Sequence, residues 1–207
     1  MDLELEGKVA WVLGGSSGLG RASAAALAGE GASVAISARE EKRLAEAASD
    51  IAGSGDGNCI PVPLDVTDRD AIAAAAAEVA DRLGPIDILV ANAGGPPAGS
   101  FEDFGDDDLH AAFDLTTASA WRLSAAVIPA MKERGGGVLL YITSSSSKEP
   151  IGGLLLSNTM RPAVVGMAKT LSKELGPHGI RTLCVAPGRI MTPHISVTMG
   201  VMDCAHG

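Results

Sequence analysis

The 207-residue sequence predicts an α/β fold, a doubly wound parallel sheet of six strands with helices on both faces. Three observations lead there. Short apolar runs alternate with longer, mostly alanine-rich segments along the chain. A glycine-rich turn, Gly14-Gly15-Ser16-Ser17-Gly18-Leu19-Gly20, joins the first run to the first helical segment. The composition is 46% hydrophobic but only 3% aromatic, so the interior must be built from Ala, Val, Leu and Ile, which suits helices layered on a parallel sheet.

Val9–Leu13 is an unbroken apolar run and reads as the first strand; 21–28 contains no Pro or Gly and reads as the first helix. Residues 33–38 form a second strand, and 40–51 a helix with charges on one side and Leu44, Ala47, Ala48 and Ile51 on the other. The run 53–58, rich in Gly, is a turn before a third strand at 59–64. A helix over 68–83 ends at Gly84-Pro85, and 86–91 is the fourth strand. After a Gly/Pro loop at 94–99, one long helix is expected over 107–134, bent near its end by Pro129. Residues 138–143 give a fifth strand that runs into four serines; 157–175 is helical, and 180–186 is the sixth strand. Residues 1–192 are expected to form one dinucleotide-binding domain and 193–207 a short tail.

A net charge of -9 argues against nucleic acid and anionic membrane surfaces as partners. The acidic N-terminus shows no secretory pattern, and no apolar run has the length of a membrane span. Cys59, Cys184 and Cys204 are odd in number and far apart, which fits reduced thiols in the cytoplasm. No metal is expected: His194, Asp203, Cys204 and His206 match no strong ligand spacing.

The glycine turn is suited to phosphate. Gly14, Gly18 and Gly20 permit a tight turn, close approach of backbone to a pyrophosphate and close packing of the helix, whose N-terminus then faces the anion; a purely structural βα turn has the same residues. Further motifs follow in order: Leu64-Asp65-Val66, Asn92-Ala93-Gly94, and Pro187-Gly188 through Ile190 to Thr192. With these four the chain resembles the short-chain dehydrogenase/reductases of standard length, and so a Rossmann-like fold is implied. Asn92-Ala93-Gly94-Gly95-Pro96-Pro97 and Ser147-Lys148-Glu149-Pro150 suggest an atypical branch near the β-ketoacyl-carrier-protein reductases. The resemblance implies a nicotinamide dinucleotide bound by Gly14, Ser16, Ser17, Gly18, Leu19 and Gly20, with Asp65 and Val66 at the adenine. It also implies Asn92, Ala93, Gly94, Pro187, Gly188, Ile190 and Thr192 along the rest of the cofactor. At the end of the second strand Arg39 stands where an acid would select NAD, which favours NADP through a charge-assisted phosphate contact; Arg39 paired with Glu40 or Glu41 is the alternative.

The resemblance breaks at the catalytic residues. The family uses a serine after the fifth strand, Tyr-x-x-x-Lys on the next helix, and an asparagine on the helix before. Ser144 fills the first place, but Ser157 stands for the tyrosine, Arg161 for the lysine and Asp114 for the asparagine. The only tyrosine, Tyr141, lies within the fifth strand. A serine hydroxyl does not ionise near neutrality, and a guanidinium relays protons poorly, although Arg161 retains the ability to hold ribose hydroxyls. Lys148 is the candidate replacement acid, with a solvated pair to Glu149 as the other reading. The family continues past Thr192 with a helical lid and a seventh strand, so both are expected to be missing or rudimentary here, leaving the sixth strand as a bare edge.

Two functions are thereby expected. One is an NADP-dependent oxidoreductase interconverting a carbonyl and a secondary alcohol, acting on a small molecule or acyl thioester. The other is a catalytically silent dinucleotide-binding protein, and whether the chain turns over is left open. Self-association through the helices after the fourth and fifth strands is expected in either case, as in the family's oligomers.

Overall fold

In the computed structural model, residues 3–53, 58–188 and 190 are described; the tail at 193–207 lies outside them. The described strands form one six-stranded sheet in the order β3-β2-β1-β4-β5-β6. They are β1 (Val9–Leu13), β2 (Ser33–Ser37), β3 (Cys59–Pro61), β4 (Ile88–Ala91), β5 (Gly137–Ile142) and β6 (Ile180–Val185). Every pairing is parallel, and β1 is central: Val12 lies opposite Ile36 on one side and Val90 on the other. The helices are α1 (Gly18–Gly29), α2 (Glu41–Ala52), α3 (Arg69–Leu83), α4 (Asp106–Phe113), α5 (Ser119–Glu133) and α6 (Leu155–Leu175).

All five residues of β1 are buried, as a strand covered on both faces requires. The strand divides its side chains between two cores. Val9, Trp11 and Leu13 pack with Ile72 and Val79 of α3, Leu123 and Met131 of α5, and Val164 and Ala168 of α6. Ala10 and Val12 pack with Ala24 and Ala28 of α1 and Leu44 and Ile51 of α2. The small residues of α1 bring that helix close to the sheet. Trp11, the bulkiest fully buried side chain, needs a partner for its indole N–H and donates it to Ser37 Oγ at 2.9 Å.

N-cap side chains bond the first turns of two of the six described helices. Glu40 accepts from Arg43 N–H at the start of α2, and Asp68 accepts from Asp70 and Ala71 N–H at α3. α1 differs: Ser17 sits at its N-cap without a side-chain cap bond, and no acid occupies its first turn.

Two expectations need correction. The third strand runs only from Cys59 to Pro61, although the chain continues alongside β2, held by Val62 and Leu64 N–H bonds to the carbonyls of Ile36 and Ala38. The long helix expected over 107–134 is interrupted not at Pro129, which α5 accommodates, but by a π-helical turn at Asp114–Ala118. Side chains satisfy what this wider turn releases: Ser119 Oγ donates to the carbonyls of Leu115 and Thr116, and Arg122 pairs with Asp114 at 2.9 Å.

The sixth strand does stand at the end of the described sheet, pairing only with β5. Leu183 and Val185 remain 49% and 48% exposed, so this edge is apolar as well as unpaired. No helix among the described residues is long and apolar enough to cross a membrane. Cys59 and Cys184 are free, and burial pushes the Cys59 thiol up to about 11.

Ser37→Ala is expected to destabilise the protein by about 1–3 kcal/mol, the cost of leaving the Trp11 N–H buried without an acceptor. Urea unfolding checks this; an unchanged midpoint would show that the indole finds another partner.

Candidate active site

The strand order reverses between β1 and β4, and in a parallel sheet the carboxyl ends of the strands open a crevice there. The glycine turn closes one side of it. Gly14 and Gly18 have φ of 62° and 56°, in the left-handed region. A Cβ on Gly14 would lie 2.7 Å from Asn92 Nδ2, and one on Gly20 would meet the backbone of Gly14 and lie 2.9 Å from the same Asn92 atom. The packing therefore excludes side chains where α1 approaches β1 and β4. Asn92 secures the crossing by donating from Nδ2 to Leu13 O at 3.3 Å. Ser16, Ser17 and Leu19 are partly buried around an α1 N-terminus that no side chain caps. These residues fit an anionic diphosphate: the cradle is free of Cβ atoms, and the first-turn N–H groups have no side-chain acceptor.

Arg39 and Asp65 meet at one end of the crevice. Asp65 accepts from Thr67 N–H at 2.9 Å and from Thr67 Oγ at 2.8 Å. The Thr67 backbone N–H chiefly, then its hydroxyl and the nearby Arg39 guanidinium, hold the Asp65 carboxyl below the usual carboxylate range against a smaller burial effect. No ion pair joins Arg39 to Glu40 or Glu41, and Arg39 is exposed. Val66 beside Asp65 packs against the core.

The segment after β4 is fastened to the start of α6. Gly99 N–H donates to Gly153 O at 2.7 Å, and Leu155 N–H donates to Gly99 O at 3.2 Å. Asn158 adds a two-way bond to the backbone of Ile151, accepting at 3.1 Å and donating at 2.9 Å. This holds the first turn of α6 beside the serine loop. Ser144 Oγ accepts from Ser146 N–H at 3.1 Å, leaving its own proton to donate elsewhere. Ser146, only 2% exposed, shares a 3.3 Å hydrogen bond with Ser157. Four successive serines, 144–147, carry no signal in the sequence as to which one turns inward.

Arg161 is 8% exposed, donating from Nη1 to Ile142 O at 3.0 Å and from Nη2 to Gly94 O at 3.5 Å. Its guanidinium thus spans the ends of β5 and β4, and burial pushes its pKa down from the ordinary value. Asp114 does not reach it but pairs with Arg122 across the π-turn. Lys148, by contrast, is exposed at the end of the serine loop and makes no ion pair with Glu149.

Beyond β6, Pro187 O accepts from Ser145 N–H at 2.9 Å, tying the final described loop to the serine loop. Ala93 is partly buried; Gly94, Gly188 and Ile190 are exposed, and Thr192 lies outside the described residues. The structure thus gathers Ser144, Ser146, Ser157 and Arg161 at the ends of β4 and β5 and leaves Lys148 at the surface. Among the described residues no group of three or more His, Cys, Asp or Glu is arranged to hold a metal.

Comparison with known proteins follows this geometry. The family model of the short chain dehydrogenases matches residues 8–198. Dehydrogenase/reductase SDR family member 4 of Homo sapiens is 34% identical over 91% of this chain and 68% of its own length. Ketoacyl reductase HetN of Nostoc sp. is 28% identical over 93% of this chain and 67% of its own. The crystal structure of L-sorbose reductase from Gluconobacter frateurii, complexed with NADPH and L-sorbose, superposes with a TM-score of 0.90 at 33% identity, covering 93% of this chain and 73% of that one. The chain thus spans about two thirds to three quarters of the length of these proteins.

Tyr141 is 1% exposed and shares a 2.6 Å hydrogen bond with Ser124, and burial pushes its phenol up to about 12 from 10.0. The folded state thus keeps a proton that the unfolded chain loses above 10.0, so this group's contribution to stability falls as pH rises from 10.0 toward about 12. With one tyrosine in the chain, ultraviolet titration reads it directly. Ionisation of the folded protein with a midpoint near 10 would contradict the buried, bonded phenol.

Proposed function

The chain belongs to the short-chain dehydrogenase family, and from that premise we propose that it is an NADP-dependent oxidoreductase interconverting a carbonyl and a secondary alcohol. The observation that carries this reading is the Cβ-free cradle of Gly14 and Gly20 beneath the uncapped N-terminus of α1. It supports a pyrophosphate held by backbone N–H groups at Ser16, Ser17, Gly18 and Leu19. Arg39 supplies a cation beside the adenosine, with Asp65, Val66, Asn92, Ala93 and Gly94 along the path toward Arg161. The L-sorbose reductase crystallised with NADPH supports the choice of dinucleotide. Pro187, Gly188, Ile190 and Thr192 are assigned to the nicotinamide end.

When bound, the dinucleotide supplies or accepts hydride. The chain's own residues do the rest. Ser144, whose oxygen already accepts from Ser146 N–H, turns its hydroxyl proton toward the substrate oxygen and polarises it. The Ser146–Ser157 pair passes a proton inward from water, each hydroxyl accepting one proton as it releases another. Arg161, held by two carbonyls, orients ribose hydroxyls and does not titrate. Lys148, exposed at the outer end of the serine loop, is the candidate that resupplies the proton. A relay whose buried members are hydroxyls forgoes much of the ~10²–10⁴-fold that general acid catalysis contributes, so turnover is slow. HetN, a ketoacyl reductase by name, supports a 3-oxoacyl thioester as substrate. Free thiols at Cys59 and Cys184 suit the cytoplasm.

The same relay motivates a second reading, binding without turnover, as a sensor or oligomer partner. Calorimetry with NADPH and NADH, joined to turnover assays on ketones and β-ketoacyl thioesters, separates the two. The first reading expects tighter binding of NADPH, reversed toward NADH by Arg39→Glu, together with slow oxidation of NADPH. Binding with no turnover leaves the silent protein, and loss of binding to both dinucleotides overturns both.

Self-association rests on Leu109 and Phe113 of α4 and Trp121 of α5, which stay 42%, 48% and 65% exposed. Sedimentation is expected to show a dimer or larger species, shifted toward monomer by Trp121→Asp. A parent chain that sediments as a monomer refutes the association.

A further inference from the structure

Between the ends of β4 and β5, the π-turn and α6 lies a cavity of ≈ 10 Å³, lined in part by Asn92, Thr116, Ser119, Tyr141 and Arg161. Two of these residues each bring a buried polar atom without a hydrogen-bond partner: Oγ1 of Thr116 and Nε of Arg161. Thr116 is 3% exposed and Arg161 8%. Each of the other polar side chains has a partner. Tyr141 is bonded to Ser124, Ser119 donates to the carbonyls of Leu115 and Thr116, and Asn92 Nδ2 donates to Leu13 O.

A buried hydroxyl and a buried N–H of a cation are both costly to leave unpaired, and here the two residues that carry them line one void. We infer that a single water molecule fills this cavity, accepting the Nε–H of Arg161 and sharing a hydrogen bond with Thr116 Oγ1, and that Thr116 is thereby a positioning residue for Arg161. The volume is at the lower limit of about 10–15 Å³ that admits one water, and two polar partners are the minimum such a water needs. The π-turn arranges this. Its successive threonines face different partners: Thr117 Oγ1 donates to Met160 O at 3.4 Å, fixing the residue before Arg161, while Thr116 lines the void. Of the two direct anchors of the guanidinium, the Gly94 bond is long at 3.5 Å, so a third point at Nε decides how firmly the plane is held.

The effect on dinucleotide affinity rests on the proposed role of Arg161; the water does not. A crystal structure of the full chain, grown with bromide in place of chloride, is expected to show a solvent peak within hydrogen-bonding distance of both atoms and without anomalous signal. An empty cavity or a bromide peak overturns the water, and this measurement needs no variant. In solution, Thr116→Val keeps the shape and removes the hydroxyl. It is expected to speed solvent exchange of the Arg161 Nε–H in ¹⁵N spectra and to weaken NADPH binding about fivefold to tenfold, the size of one lost hydrogen bond. Thr116→Ser should restore both toward the parent. Unchanged exchange in Thr116→Val, or no recovery in Thr116→Ser, overturns the positioning role. A parent chain that fails to bind NADPH counts against the proposed function instead, and the exchange measurement still decides the role of Thr116.

Discussion

The constraint on which the rest of the molecule depends is the absence of side chains at Gly14 and Gly20. With no Cβ there, α1 descends onto β1 close enough for Asn92 of the neighbouring strand to bond Leu13 O across the crossover. The two halves of the sheet are joined there by the parallel β1–β4 ladder, which the Asn92 bond extends by one contact. The close approach of α1 also leaves its first N–H groups facing the crevice with no side chain to satisfy them. Close packing and an open helix N-terminus are therefore consequences of one requirement, and a methyl group at either glycine would disturb both.

Around this crossing the site is assembled from groups that hold one another. The loop after β4 is bonded to the start of α6, the serine loop to the turn after β6, and Arg161 to the carbonyl ends of both β4 and β5. A lysine reaches with one ammonium, whereas a planar guanidinium contacts several carbonyls at once, so Arg161 acts as a brace between strands. The gain is rigidity where the reaction would occur. A guanidinium exchanges protons poorly, so membership of an oxidoreductase family does not by itself fix the rate of this chain.

The alternation of apolar runs and alanine-rich segments was enough to place nearly every element, because a parallel sheet buried on both faces writes its strands as continuous hydrophobic runs. That reading failed in two places. The third strand stops earlier than its apolar run although N–H bonds to β2 continue past it, and at Asp114–Ala118 the backbone winds into a π-turn whose Leu115 and Thr116 carbonyls Ser119 Oγ satisfies. Periodicity records which face is apolar; it does not record how many residues a turn contains.

By itself the sequence determined the sheet and its glycine turn, since these follow from residue identity and spacing. Only the tertiary structure decided which serine turns inward, that Asp114 pairs with Arg122 rather than Arg161, and that Thr116 and Arg161 share a void. Each of those outcomes depends on where two separate segments meet, and hydrogen bonds act over about 3 Å, a distance no spacing along the chain can specify once a strand, a helix and a loop intervene.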